Sequence, residues 1–304
     1  MDNEKLLDGV SVIIPTYNSQ ALLDLTLKSL SSQDDDFKNF EVIVVDDGSA
    51  DNTQDIVNRY IRVLDIRYYF QKDQGFRVSV VRNAGIALAK YKVSLFLDAG
   101  MVAKENLVRT HWGLHSKRSN AAVIGMSYGL EEFASVDNGV VENMLASYDT
   151  ETAFKNLANY TALHDCRYDY LSKMFFNVES RRYPWVLFWT GHVSCRTKTL
   201  RQVNGFDENF RSWGGEDVEL GIRLHNHGCK FIILEELMTI NYPHPRSESE
   251  KVKSSLENIR YIHEVHRSPG TEMLLTKGWK EIINVGNSCA PVRGSHEGKD
   301  VETV

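Results

Sequence analysis

The sequence is poor in cysteine and proline, with 4 cysteines and 6 prolines in 304 residues. No two cysteines are close enough for a CxxC pair, which excludes zinc-ribbon spacing and favours reduced thiols in a cytoplasmic protein. No apolar run approaches the roughly 18 residues that a transmembrane helix needs. The acidic start of the chain also does not match a signal peptide. We therefore expect a cytoplasmic protein with no transmembrane segment.

Basic residues are outnumbered by acidic ones, 35 against 41, and the formal net charge is −6. This balance argues against a general electrostatic attraction to nucleic acid, and we expect no nucleic-acid partner. The GxGxxG, GxxxxGK[ST] and GxSxG motifs are absent as well. Dehydrogenases, P-loop nucleotidases and α/β-hydrolases therefore lack their usual motifs here.

Apolar runs and amphipathic stretches alternate through residues 1–117. Buried-strand runs stand at 10–15, 40–45 and 93–97, and a short strand pattern stands at 66–70. Helical patterns follow them at 21–33, 52–61, 76–90 and 104–116. This alternation predicts an α/β fold with a mostly parallel sheet flanked by helices. Such sheets bind ligands outside the carboxyl ends of their strands, where Thr16–Asn18, Asp46–Asp47 and Asp98 fall.

The pattern beyond residue 117 is more mixed. The predicted strands are 123–129, 185–195 and 230–234, with residues 238–246 leaving the last one through two prolines. The predicted helices are 197–203, 217–227, a charged segment at 247–267, and most of 150–177. His111 and His115 share one helix but have no carboxylate partner nearby in the sequence, so we interpret them as structural.

Five motifs carry a resemblance to a known family. They read VSVIIPTYN, FEVIVVDDGSADNT, RNAG (82–85), LFLDAG and NGFDENFRSWGGEDVELGIRLHNHG. The first four resemble family 2 inverting glycosyltransferases of the GT-A (Rossmann-like) fold. The fifth is similar to a motif shared by β-1,4-galactosyltransferases, polypeptide GalNAc-transferases and bacterial chondroitin-type polymerases. The resemblance implies a nucleotide-sugar-binding half at 1–117, an acceptor-binding and catalytic half of the same domain at 118–246, and a C-terminal helix with a polar tail at 247–304.

The resemblance implies a donor pocket at the ends of the first two strands. Its expected residues are Pro15, Thr16, Tyr17, Asn18, Asp46 and Asp47. The alternative for Asp46–Gly48 is a plain turn with a helix cap. Arg77 and Arg82 are expected to pair with a diphosphate or to orient Asp98, unless they are surface residues of their helix.

Asp98-Ala99-Gly100 occupies the place of the family's Asp-X-Asp metal motif. The third position is glycine, so one of the usual oxygen ligands is missing. The resemblance implies Mn²⁺ or Mg²⁺ held by Asp98, with His244 as a compensating ligand. If no metal binds, Arg77, Arg82 or a lysine has to carry the charge of the leaving group.

Trp213-Gly214-Gly215-Glu216-Asp217 precedes a predicted helix, whose dipole favours anionic carboxylates at its start. By resemblance, Asp217 is the catalytic base, while Glu216 bonds sugar hydroxyls. Trp213, Gly214 and Gly215 are expected to contact the acceptor. The structural alternative is a helix start with two dipole-stabilising charges. The segment Trp189–His192 reads equally as a sugar-binding wall or as a core strand.

The resemblance therefore implies an inverting glycosyltransferase. It would move a hexose or N-acetylhexosamine from a UDP-sugar to an acceptor hydroxyl, with the donor sugar and the acceptor both open. A non-catalytic protein of the same fold that binds a sugar nucleotide or a glycan is the alternative. A nucleotidyltransferase would normally carry a basic, glycine-rich phosphate loop near its N-terminus, which the sequence lacks.

Overall fold

The computed structural model describes residues 5–34, 36–130, 139–244 and 248–285. Its strands are β1 (Leu7–Thr16), β2 (Phe40–Asp46), β3 (Ile66–Phe70), β4 (Tyr91–Leu97), β5 (Met101–Ala103), β6 (Ala121–Tyr128), β7 (His192–Arg196) and β8 (Lys230–Asn241). Its helices are α1 (Gln20–Ser31), α2 (Thr53–Tyr60), α3 (Val78–Leu88), α4 (Leu107–Lys117), α5 (Val140–Ser147), α6 (Thr150–Leu157), α7 (Tyr168–Ser172), α8 (Thr197–Gln202), α9 (Glu216–Asn226), α10 (Glu248–His266), α11 (Pro269–Leu274) and α12 (Trp279–Asn284).

The strands form one mixed sheet in the order β3-β2-β1-β4-β7-β6-β8-β5. Four of its pairings are parallel: β1 with β2, β1 with β4, β2 with β3, and β6 with β8. β2 and β3 lie on one side of β1 and β4 lies on the other, so β1 and β4 mark the point where the strand order of the sheet switches sides. A crevice at such a switch point is where an open α/β sheet binds its ligand.

β1 explains why the first strand reads as an unbroken apolar run. Ile13 packs into the core on one face of the sheet, whereas Val12 and Ile14 pack into the core on the other face. All three side chains are fully buried. A central strand covered by helices on both faces needs apolar residues at every position, in contrast to the alternating pattern of a half-exposed strand.

The alternation predicted for residues 1–117 is confirmed, with one strand added. The short β5 lies between Asp98 and α4 and pairs antiparallel with the end of β8. A run of three residues is too short to show a period in the sequence.

Three predictions in the second half differ from the structure. Residues 185–195 are not one strand, because Pro184 opens a 3-10 turn through Leu187 and β7 begins only at His192. β8 does not stop at 234 but continues to Asn241, since its second half pairs with both β6 and β5. The predicted helix at 150–177 is two short helices, α6 and α7, with a 3-10 turn between them.

The region after residue 247 contains three helices, α10 to α12, where the sequence pattern indicates one. The polar tail expected at the C-terminus lies outside the described residues from 286 onward. Within the described ranges, no helix combines the length and the apolar character needed to cross a bilayer.

Candidate active site

A cavity of about 1220 Å³ opens at the carboxyl ends of β1, β2 and β4. Most of the residues that the sequence predicts for the site line this cavity. They are Pro15, Thr16, Tyr17, Asp47, Arg82, Asp98, Trp213, Gly214, Gly215, Glu216, Asp217 and His244. Asn18, Asp46 and Arg77 are not among the lining residues, and their contacts show why.

Asp46 shapes the turn after β2. Its Oδ1 accepts hydrogen bonds from the backbone N–H groups of Gly48 and Ser49, at 3.0 and 2.7 Å, and its Oδ2 accepts one from the Tyr68 hydroxyl at 2.7 Å. Burial, together with this last bond, raises the pKa of Tyr68. The carboxylate is fully buried. Asp46 therefore has the structural role that was the alternative to donor binding: it stabilises the turn after β2.

Asp47 is held at the cavity wall by Arg77. The Arg77 guanidinium donates to Asp47 Oδ1 at 2.9 Å and its backbone N–H donates to Oδ2 at 3.2 Å, while Gln71 donates to Oδ1 at 2.6 Å. The pair is almost fully buried. Arg77 thus fixes the direction of Asp47 and does not itself reach the cavity.

Tyr17 and Asn18 organise the loop after β1. The Tyr17 hydroxyl donates to Asp73 at 3.0 Å, and both side chains line the cavity. Asn18 has a φ of 46° and accepts a hydrogen bond from the Ala50 N–H at 2.8 Å. Asn18 therefore ties the loop after β1 to the loop after β2.

Arg82 joins the two halves of the site. Its guanidinium donates to Glu216 Oε1 at 2.9 Å and to Asp98 Oδ1 at 3.1 Å. The Arg82 side chain is 4% exposed, so both ion pairs form with little water around the guanidinium. The alternative that Arg82 is a surface residue of its helix is thereby excluded. Charge-assisted bonds of this kind orient both carboxylates.

Glycines present the two carboxylates at the start of α9. Gly214 and Gly215 both have a φ of +95°, a conformation that side chains other than glycine rarely adopt. Glu216 is buried, and its Oε2 has no hydrogen-bond partner among the described residues. A buried carboxylate oxygen without a donor is costly unless a ligand supplies one.

Asp217 is partly buried beside Glu216 on the cavity wall. Its two oxygens accept hydrogen bonds from the N–H groups of Val218, at 2.7 Å, and Thr190, at 3.3 Å. Burial, followed by the negative charge of Glu216, raises the pKa of Asp217 to about 7, against the opposing effect of Arg82. A carboxylate with this pKa takes up and releases protons near neutral pH.

Residues 212–215, which precede α9 and which we call the glycine loop, are held in place by helix α10, and the sequence did not indicate this contact. Asn258 donates to the backbone carbonyl of Gly214 at 2.6 Å and also bonds those of Ser212 and Trp213. The Ser254 hydroxyl donates to the Trp213 carbonyl at 2.9 Å. An isolated asparagine in a charged helix carries no sequence signal, because its partners are backbone atoms more than 40 residues away.

Asp98 and His244 lie on the same cavity. The Tyr242 N–H donates to the Gly100 carbonyl at 2.9 Å, so the chain carrying His244 is tied to the turn that follows Asp98. Gly100 has a φ of +97°, which explains why this turn carries glycine and not a second acidic ligand. No group of three or more His, Cys, Asp or Glu side chains suited to a metal ion occurs in the described parts of the chain.

Residues 189–192 were considered either as a wall of the sugar site or as a core strand, and the structure shows both. Trp189, Thr190 and Gly191 line the cavity, whereas His192 points into the core. His192 Nε2 lies 2.9 Å from His111 Nε2, and His111 and His115 both bond the Ser194 hydroxyl at 2.8 Å. Burial lowers the pKa of all three histidines, so they are neutral packing residues.

Comparison with known proteins assigns the chain to a family. The model of glycosyl transferase family 2 matches residues 11–161, and a model described as the N-terminal domain of galactosyltransferase matches residues 172–247. The two matches meet at the cavity, since the first contains Asp47 and Asp98 and the second contains Glu216 and Asp217. The chain belongs to glycosyltransferase family 2.

The chain is similar to several longer enzymes. It is 37% identical to validoxylamine A glucosyltransferase of Streptomyces hygroscopicus subsp. jinggangensis, over 85% of this chain and 61% of that one. It is 33% identical to chondroitin synthase of Pasteurella multocida over 83% of this chain and 26% of that one, and equally identical to the Escherichia coli chondroitin synthase over 84% and 38%. The chain therefore spans about three fifths or less of these relatives.

Solved structures confirm the GT-A fold. The structure of Staphylococcus aureus TarS 1–349 in complex with UDP-GlcNAc superposes with a TM-score of 0.62 at 18% identity, covering 88% of this chain and 70% of that one. The mannosyltransferase PcManGT of Pyrobaculum calidifontis, in complex with GDP-Man and Mn²⁺, gives a TM-score of 0.55 at 14% identity over 90% and 71%.

Proposed function

We propose that the protein is an inverting glycosyltransferase that moves a hexose or N-acetylhexosamine from a UDP-sugar to an acceptor hydroxyl. The observation that carries this proposal is Asp217, a carboxylate on the cavity wall whose pKa is raised to about 7. An inverting transfer needs one base beside the acceptor hydroxyl, and a base titrating near neutral pH is suited to that role.

The donor would occupy the end of the cavity formed by the loops after β1 and β2. Tyr17 offers an aromatic face there, and Asp47 offers a rigidly held carboxylate to the nucleobase and the ribose of the donor. The nucleotide-binding role proposed for residues 1–117 follows from this placement. UDP as the nucleotide is supported by the TarS complex with UDP-GlcNAc. Among the donor sugars, GlcNAc, GalNAc, galactose and glucose fit the proposal equally.

The acceptor would lie at the other end, beside Trp213, Gly214 and Gly215. Asp217 would take the proton of the attacking hydroxyl while the bond between the anomeric carbon and UDP breaks on the opposite face. Glu216 Oε2, which lacks a partner among the described residues, would accept a hydrogen bond from a sugar hydroxyl. Thr190 and Val218 would hold the Asp217 carboxylate in its orientation.

A divalent cation fits the residues around Asp98. Asp98 uses Oδ1 for Arg82, and His244 Nδ1 lies 3.2 Å from the Tyr242 carbonyl. His244 would supply a ring nitrogen to such a metal, and Asp98 a carboxylate oxygen. Mn²⁺ or Mg²⁺ there would neutralise charge that develops on the diphosphate. Two protein ligands suffice for an ion that takes its other ligands from phosphate and water.

Arg82 would act as a positioning residue and not as a diphosphate ligand. Its guanidinium is committed to Asp98 and Glu216, each through one nitrogen. If the cation is absent, the charge of the leaving group falls to another residue of the cavity. Among the described lining residues, Lys277 is the other permanently charged cation.

Calorimetry of UDP binding, with and without Mn²⁺, tests the donor site on the wild type and on His244→Ala. We expect Mn²⁺ to tighten UDP binding and His244→Ala to lose most of that gain. Equal binding without metal would move the leaving-group role to side chains. If no uridine nucleotide binds, the donor assignment fails and the family resemblance extends only to the fold.

Turnover separates the enzyme from a non-catalytic binding protein of the same fold. UDP release from a panel of UDP-sugars, with water as a slow acceptor, is measured for the wild type and for Asp217→Asn. We expect slow release by the wild type and roughly a hundredfold less by the variant, which retains UDP binding. Asp55→Asn, at an exposed carboxylate in the first turn of α2, is the matched control. Tight UDP binding with no release by the wild type would support the binding-protein alternative.

A further inference from the structure

The cavity continues past Asp217 to a wall made by the C-terminal helices. One face of α10 contributes side chains at spacings of four, three and three residues, which places them on a single helical stripe. The stripe consists of Val252, Leu256, Ile259 and Ile262. Leu274 at the end of α11, Leu275 after it and Trp279 at the start of α12 extend the same wall. We call these seven residues the apolar wall.

Part of the apolar wall is exposed to the cavity. Val252 is 44% exposed, Leu256 is 50% exposed and Leu275 is 39% exposed. Phe76, which also lines the cavity, is 40% exposed. Large apolar side chains gathered in one cavity, and not scattered singly over the surface, indicate a surface that a ligand covers.

The apolar wall and its helix α10 lie directly beside the glycine loop. A Cβ at Gly214 would lie 3.5 Å from the Ser255 Cβ, and one at Gly215 would lie 3.2 Å from the Ile262 Cδ1. Asn258, on the same helix, bonds the Gly214 carbonyl. A molecule whose hydroxyl reaches Asp217 would therefore have space for its remaining atoms beside α10.

The charge of the cavity disfavours an anionic acceptor. At the proposed acceptor end, its described lining contains the carboxylates of Glu216 and Asp217. The permanently charged cations of the cavity's described lining are Arg82 and Lys277. Arg82 is already paired with Asp98 and Glu216. A carboxylate on the acceptor would meet like charge at short range and lose hydration.

We propose that the apolar wall is an acceptor subsite for the apolar part of a small, uncharged molecule. The acceptor would carry an aryl or alkyl group next to the hydroxyl that receives the sugar, and no carboxylate. This inference rests on the proposed function, because it takes Asp217 as the point where the acceptor hydroxyl binds. A polyanionic glycan acceptor would instead require basic side chains at this end of the cavity.

Matched glycosides test the subsite by binding, independently of turnover. Methyl β-D-glucoside, 4-nitrophenyl β-D-glucoside and 4-nitrophenyl β-D-glucuronide are titrated calorimetrically into the UDP-saturated protein. We expect the nitrophenyl glucoside to bind about tenfold more tightly than the methyl glucoside, because its ring is removed from water against the apolar wall. We expect the glucuronide to lose most of that gain to its carboxylate.

Variants assign the gain to the wall. Val252→Ser and Leu256→Ser alter exposed side chains, so both should fold, which a thermal melt and unchanged UDP affinity verify. Each should reduce the preference for the nitrophenyl glucoside by about threefold or more. Val265→Ser is the matched control, because Val265 lies on the same helix, is 49% exposed and does not line the cavity.

Three results would overturn the proposal: equal binding of the two glucosides or no binding of either, tighter binding of the glucuronide, or a preference that survives both wall variants. A concentration-dependent dimer that Leu256→Ser abolishes would assign the wall to a second copy of the chain and overturn it as well. Failure of the proposed function shows separately, since UDP binding and UDP release from UDP-sugars are measured without any glycoside.

Discussion

Arg82 Nη1 lies 2.9 Å from Glu216 Oε1, although the two residues are 134 positions apart in the sequence. Both side chains are buried, and the other arm of the same guanidinium holds Asp98. Arg82 therefore links the end of β4, on the donor side of the cavity, to the start of α9, which carries the proposed base. These two ion pairs are among the contacts that hold the two parts together.

Replacing Arg82 by methionine should destabilise the protein by about 3–5 kcal/mol, because it leaves the buried Glu216 carboxylate without its countercharge. Activity should fall with stability, since both Asp98 and Glu216 lose their orientation. Chemical denaturation and UDP release measure the two effects. Arg118→Ala is the control, because its ion pair with Glu179 is half exposed and should contribute about 0–1 kcal/mol. A melt of Arg82→Met equal to that of the wild type would show that the ion pairs do not hold the two parts together.

The pH profile of kcat/KM should follow the ionisation of Asp217. The base works in its charged form, so the rate should fall about tenfold per unit below pH 7 and reach a plateau above it. Glu216 is the nearby charge that raises this pKa, and Glu216→Gln should therefore move the acid limb to lower pH, whatever its effect on the plateau. Glu236→Gln, at an exposed site, should leave the limb where it is. An acid limb that stays in place in Glu216→Gln would contradict the assignment of the titrating group.

Asp217 should reduce stability at the pH where it is active. Its pKa is about 7 in the folded protein against an ordinary 3.8, so between these values the folded state keeps a proton that the unfolded chain has released. Stability therefore falls as the pH rises through this window. Asp217→Asn removes the effect and should raise the Tm by roughly 2–4 °C at about pH 8, with little change at about pH 4.

A pH series of thermal melts, with Asp55→Asn as the control for a surface carboxylate, checks this expectation. A lower Tm for Asp217→Asn at the alkaline end of the series would mean that the two backbone hydrogen bonds to Asp217 outweigh its burial.

Asn258 should affect catalysis by holding the glycine loop, and it should not affect binding of the UDP-sugar. Asn258→Ala leaves the carbonyl of Gly214 without this donor, at an expected cost of about 1–3 kcal/mol. We expect a lower kcat with unchanged UDP affinity, because the loop positions Asp217 and does not form the nucleotide end of the cavity. Glu257→Ala, at the exposed neighbouring position, should change neither. If Asn258→Ala weakens UDP binding as much as it lowers kcat, the helix supports the whole cavity and not the loop alone.

Local patterns in the sequence were enough to predict the first half of the sheet and most of the residues that line the cavity. β1, β2 and β4 are continuous apolar runs because helices cover both faces of the sheet, and the polar residues that end them meet at one edge. The start of α9 is equally local, because two glycines and two carboxylates adjoin within five residues. Family resemblance then attached roles to these positions, and the fold that it implied is confirmed by the structural comparisons.

Only the tertiary structure showed which partner each charged residue takes. Asp46 and Asp47 are adjacent and chemically identical, but their partners differ. Asp46 bonds the backbone of a turn and the Tyr68 hydroxyl, whereas Asp47 is held at the cavity wall by Arg77. The sequence likewise predicts a helix over most of α10, but a helical pattern does not say what the apolar stripe of that helix faces.

The sequence by itself determined the strand edges where the polar residues gather, because buried strands and helix starts are specified by neighbouring residues. The tertiary structure decided the pairing of Arg82 with Glu216, the support of the glycine loop by Asn258, and the pKa of Asp217. Each of these depends on distance and burial between segments far apart in the chain, and no local pattern encodes those quantities.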